Sequence, residues 1–139
     1  MVRDGVDAIG PLPDDRGWDL SVFDSAGGSG RSYATSGGFL RGVSQFDPQF
    51  FGISPLDALS MDPQERLLLV ETWRALENAG VTPSSLRGSR TGVWIGAMYH
   101  DYGYGHDPAT ASGGCIIAGR ISYHFDLHGP SMTVDTACS

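Results

Sequence analysis

A segment bounded at both ends by helix signals limits the architectures open to this chain. Asp62 stands where an N-cap belongs, Pro63 occupies the first helical position where its missing N–H is harmless, and Glu65 follows three residues after Asp62, as in a capping box. Leu69, Val70, Trp73, Leu76 and Ala79 then recur at spacings of three and four, and Gly80 supplies a left-handed stop. The spacing predicts a helix over residues 63–79, about 25 Å long at about 1.5 Å per residue. Leu67 and Leu68 widen its apolar side, so it is expected to pack in a layer between other elements. A turn region rich in Pro, Ser, Gly and Arg leads into Thr91-Gly-Val-Trp-Ile-Gly-Ala-Met98, a continuous apolar run that suits a buried strand of a mostly parallel sheet. Helix followed by buried strand predicts an α/β layer architecture.

The flanking regions fill in the organisation. Residues 1–36 are rich in Gly, Pro, Asp and Ser and read as loop, anchored by Trp18, Leu20, Val22 and Phe23 onto a larger body. Residues 37–43 could supply a short extended piece, and Phe46, Phe50, Phe51 and Ile53 form an aromatic cluster suited to core packing. Ser54 and Pro55 are placed to cap and begin a short helical turn. Residues 111–123 contain Gly113, Gly114 and Gly119, so helix propensity alone does not identify them as helix. The alternation through Met132, Thr133, Val134 and Asp135 reads as a short strand that delivers Ala137, Cys138 and Ser139. A thiol there resembles a nucleophile elbow, in which a sharp strand-to-helix turn lifts the sulfur clear and a helix N-terminus favours the thiolate.

Composition excludes several classes of function. Nine cations, all Arg, face sixteen carboxylates, and a net charge of −7 with no basic run argues against nucleic acid. No apolar run is long enough to span a membrane. Cys115 and Cys138 lie 23 positions apart without a secretory leader, so reduced thiols and a cytoplasmic location are expected. The four His and two Cys form no zinc pattern; His124 and His128 would share a helix face, where solvation or hydrogen bonding accounts for them. Cys115 is expected to be a small buried thiol, because no basic neighbour adjoins it. Arg66 and Arg120 sit inside apolar stretches and are expected to need carboxylate partners.

The string Val134-Asp-Thr-Ala-Cys-Ser139 resembles the active-site segment of β-ketoacyl synthases, the thiolase-fold condensing enzymes of polyketide and fatty acid assembly. Further matches follow in family order. They are Gly5-Val-Asp-Ala-Ile9, Asp14-Asp-Arg-Gly-Trp-Asp-Leu20, Gly37-Gly-Phe-Leu40, Phe46-Asp-Pro-Gln-Phe-Phe-Gly-Ile-Ser-Pro55, Asp62-Pro-Gln-Glu-Arg-Leu-Leu-Leu69, Trp73-Arg-Ala-Leu-Glu77, Leu86-Arg-Gly-Ser-Arg-Thr-Gly92 and Met98-Tyr-His-Asp-Tyr-Gly103. Together they are similar to the ketosynthase domain of modular type I polyketide synthases.

This resemblance implies a thiolase-like, layered α/β/α fold and a helix over residues 111–123 carrying the Ala-Gly-Arg-Ile-Ser pattern at residues 118–122. It implies that Cys138 is the catalytic nucleophile, acylated from a carrier thioester, with its own N–H donating to the oxyanion. It also implies decarboxylative condensation assisted by two histidines beyond Ser139, with no metal or cofactor bound directly. Substrates would arrive on the phosphopantetheine of an acyl carrier protein. Other polyketide synthase domains and, for a complete domain, a second copy would be partners. His100 and Asp101 invite a Cys-His-Asp reading with Cys138, but in the family that segment is scaffold and loop. The Thr136 and Ser139 hydroxyls are read as tying off the backbone at the turn, and Asp135 as accepting hydrogen bonds from neighbouring loops.

Against the family pattern, residues 1–139 correspond to a partial N-terminal domain, lacking the first strand and everything after the nucleophile. Residues 103–118 also look shorter than in polyketide relatives, which weakens substrate inference there. The expectation is that the isolated chain is inactive, and insoluble or molten because strand edges and helix faces are exposed. The alternative, from a different class, is a non-catalytic truncated product or interaction remnant.

Overall fold

The computed structural model describes residues 2–24, 26–99, 102 and 113–137. They fall into two compact units, Met1–Ser44 and Gln45–Ser139.

The first unit is mostly irregular, as its Gly, Pro and Asp content leads one to expect. A two-residue antiparallel pair joins β1 (Gly10–Pro11) to β2 (Ser36–Gly37). A 3₁₀ turn at Leu20–Val22 is capped by the Asp19 carboxylate, which accepts from the Ser21 N–H. The indole of Trp18 meets Phe39 edge-on at 5.8 Å, and Arg16 donates to the Leu40 carbonyl. These contacts hold loops together where there is too little regular backbone pairing to do so.

The second unit carries the regular elements. Ser54 caps α1 (Pro55–Ser60) by accepting from the Asp57 N–H, with Pro55 at the start of the helix. Asp62 caps α2 (Pro63–Asn78), accepting from the Gln64 N–H at 2.8 Å, and Gly80 ends the run in the left-handed region at φ 67°. After a 3₁₀ turn at Pro83–Leu86 come β3 (Val93–Gly96), α3 (Gly114–Phe125) and β4 (Ser131–Val134). Strands β3 and β4 are parallel, with Val93 opposite Ser131 and Gly96 opposite Val134.

Helix α3 lies against both strands and also against α2, which gives the order sheet, helix, helix. The core is Phe51, Met61, Leu69, Val93, Ala118, Ile121 and Phe125, with Val70, Trp73 and Leu76 packed at its margin. Full burial of a Val, Leu, Ile, Phe or Met side chain contributes roughly 1.5–3 kcal/mol, and the small Ala118 contributes less. The anticipated aromatic cluster forms: Phe46 stacks on Phe51 at 5.2 Å, and Phe50 meets Phe51 and Trp73 edge-on. Ala79, the last residue of the expected stripe, is exposed because the helix has already reached its C-cap there.

Glu65 does not serve the capping box. It is 2% exposed and binds the Arg120 guanidinium on α3, so a residue expected to close its own helix joins two helices instead. Arg66 departs as well. Its guanidinium lies over the Tyr102 ring, 5.5 Å from the centroid, and its buried Nε has no hydrogen-bond partner among the described residues.

Candidate active site

Four backbone hydrogen bonds fix the base of the parallel pair. Gly88 N–H donates to the Asp126 carbonyl and His128 N–H to the Ser89 carbonyl, both at 2.7 Å; Gly129 N–H donates to Thr91 and Val93 N–H to Pro130. This clamp sets the register in which β4 rises beside β3. At the opposite end the Ala97 N–H donates to the Val134 carbonyl at 3.2 Å, and β4 stops.

Beyond Val134 the chain turns within three residues. The Asp135 carboxylate accepts from the Ala137 N–H at 2.9 Å, and Ala137 has φ 50°. A non-glycine residue in that region carries a steric cost of roughly 1–2 kcal/mol, because its Cβ crowds the neighbouring carbonyl oxygen. The sequence places Cys138 next; Cys138 and Ser139 lie outside the described residues, as do His100 and Asp101. Among the described residues the bond seen at Asp135 is a local one, an Asx turn signalled by Asp two positions ahead of a small residue.

Beside this turn a concavity of about 630 Å³ is lined by Gly114, Cys115 and the stretch from Ser131 to Asp135. Gly113 caps α3 there without a side-chain bond. Cys115 is exposed and lines this space, which corrects the expectation of a buried thiol. It sits in the first turn of α3, whereas the core-facing positions of that helix are Ile117, Ala118, Ile121 and Phe125. A larger cavity of about 720 Å³ lies in the first unit, lined by residues that include Val6, Ile9, Leu12, Phe39 and Leu40. Its lining holds no Cys, Ser, Thr or His, so it offers no thiol, hydroxyl or imidazole for attack on a thioester.

Helix α3 is held against β4 from several directions. The Ala118 N–H lies 3.3 Å from the Thr133 Oγ1, and Ala118 is fully buried, so its small size is used for close approach. Gly119 is different: a Cβ there would meet nothing within 4 Å. On the far side Arg120 pairs with Glu65. Burial pushes the Glu65 carboxyl above its ordinary value; Arg120 and Arg66 oppose this, and Asp62 adds to it. Sequence reasoning identified Arg120 as needing a carboxylate but not the partner 55 residues away.

His124 and His128 do not act together. His124 packs between Phe51 at 5.0 Å and Phe125 at 4.8 Å. Burial holds its ring below the ordinary imidazole range, against a hydrogen bond to the Phe51 backbone, while the Arg87 charge acts with burial. His128 lies past the helix and is bonded to Asp126 at 3.0 Å. Among the described residues no group of three His, Cys, Asp or Glu side chains is placed to hold a metal ion. None of their helices is long and apolar enough to cross a membrane.

Known proteins share this arrangement. Polyketide synthase GfsE of Streptomyces halstedii is 52% identical over 149 aligned residues, covering all of this chain and 4% of the relative. The pikromycin polyketide synthase component PikAII of Streptomyces venezuelae is 45% identical, again across the whole chain and 4% of the relative. The oxazolomycin ketosynthase domain OzmH KS7 of Streptomyces albus JA3453 superposes with a TM-score of 0.82 at 40% identity, covering 96% of this chain and 25% of that structure. The module 6 ketosynthase of the bacillaene synthase from Bacillus subtilis 168 gives 0.78 at 36% identity, over 96% and 22%. The chain thus spans a few per cent of these curated relatives and about a quarter of the solved ketosynthase structures. The family described as beta-ketoacyl synthase, N-terminal domain, matches residues 1–139 throughout, and with the thiolase-like α/β architecture of its structural neighbours the chain belongs to that family.

Proposed function

We propose that this chain forms the nucleophile-bearing part of a β-ketoacyl synthase that extends carrier-bound acyl chains in polyketide assembly, with Cys138 as the acylated residue. The observation that carries this reading is the end of β4. A parallel strand clamped at its base runs into a tight left-handed turn one residue before the cysteine, beside an open concavity. That is the setting in which a thiol is presented to a substrate arriving from outside.

The chemistry follows in two balanced steps. The Cys138 thiolate adds to the carbonyl of an acyl thioester, the new C–S bond forms, and the carrier thiol leaves as thiolate. An extender with a free carboxylate then loses CO₂, and the electron pair left on its α-carbon attacks the acyl-Cys138 carbonyl and expels the Cys138 thiolate. The β-ketoacyl product stays on the carrier. The phosphopantetheine arm of an acyl carrier protein is the carrier in this reading, and a complete domain would pair with a second copy. Residues 1–139 supply one part of that domain.

Incubating the natural full-length polypeptide with a synthetic acyl thioester and mapping peptides by mass spectrometry tests the assignment. The acyl mass is expected on the peptide containing Cys138 and is expected to vanish in Cys138→Ala. Acylation elsewhere, or an unchanged signal in that variant, would remove Cys138 from the role.

A further inference from the structure

We draw no further inference here: the strongest candidate, the concavity between the first turn of α3 and the end of β4 with the Cys115 thiol in its lining, belongs to the site already described, and nothing in the structure shows what covers it.

Discussion

Replacing Arg120 with Met should loosen the packing of α2 on α3 far more than the loss of one surface charge would. Glu65 is 2% exposed and its partner's side chain 25% exposed, so the substitution leaves a carboxylate without its cation in a site that water hardly reaches. Removing one member of a buried pair costs about 3–5 kcal/mol. The partial exposure of Arg120 places this case at the lower end, about 3 kcal/mol, or roughly a hundredfold increase in the population of the opened state. Hydrogen exchange of α3 amides in the full-length polypeptide, corrected for intrinsic rates at each pH, reads that factor directly. The double variant Glu65→Leu with Arg120→Met removes both charges and is expected within about 10-fold of the parent, since well-packed apolar replacements of buried pairs are close to neutral.

The pH dependence gives an independent check on sign. Glu65 has a native pKa raised above its ordinary 4.5, so the native state holds its proton more tightly and loses stability as pH rises through 4.5 to the native value. Without Arg120 the opposing attraction is gone and the native value rises further. The excess opening of Arg120→Met should therefore shrink as pH falls from about 8 to about 5, where the orphaned carboxyl takes up a proton. Parent-like protection in Arg120→Met, or a double variant that opens more than the single one, would refute the argument.

Two further outcomes follow from other parts of the fold. His124 stays neutral more readily in the native state than at its ordinary 6.5, so stability should hold above about pH 6.5 and fall as pH drops toward the lower native value; melts of His124→Phe should be flatter over that window. Gly129→Ala would place a Cβ 2.4 Å from the Thr91 carbonyl carbon and oxygen, neither of which can yield. Its cost is expected near the top of the roughly 1–3 kcal/mol range for overpacking, above that of Gly80→Ala, where nothing lies within 4 Å and only the positive φ is penalised. A smaller thermal shift for Gly129→Ala than for Gly80→Ala would contradict this.

Local chemistry made much of the second unit legible in advance. Asp62, Pro63 and Gly80 bound α2 as their preferences require, Ser54 caps α1, and the apolar run and alternating stretch become β3 and β4. Helix α3 could be read only through family resemblance, because its glycines conceal it from propensity; it runs Gly114–Phe125 and carries the expected Ala-Gly-Arg-Ile-Ser. The pair of two-residue strands in the first unit has no side-chain period long enough to detect. Glu65 shows why the rest was hidden. Its position three residues after an N-cap satisfies a local rule, yet its partner is 55 residues away and becomes a neighbour only after the helices pack. The same holds for Cys115, whose exposure depends on which side of α3 meets the core.

In the parallel pair, Gly96 stands opposite Val134, and the next non-glycine residue of positive φ comes three positions later on each side: Tyr99 after β3 and Ala137 after β4. The two connections therefore bend at matching heights above the sheet, like neighbouring fence posts cut to one length. The concavity beside the end of β4 takes its lining from the first turn of α3 and from residues 131–135, and none of it from residues 97–99 that leave β3. A change in those three positions would therefore leave that lining untouched.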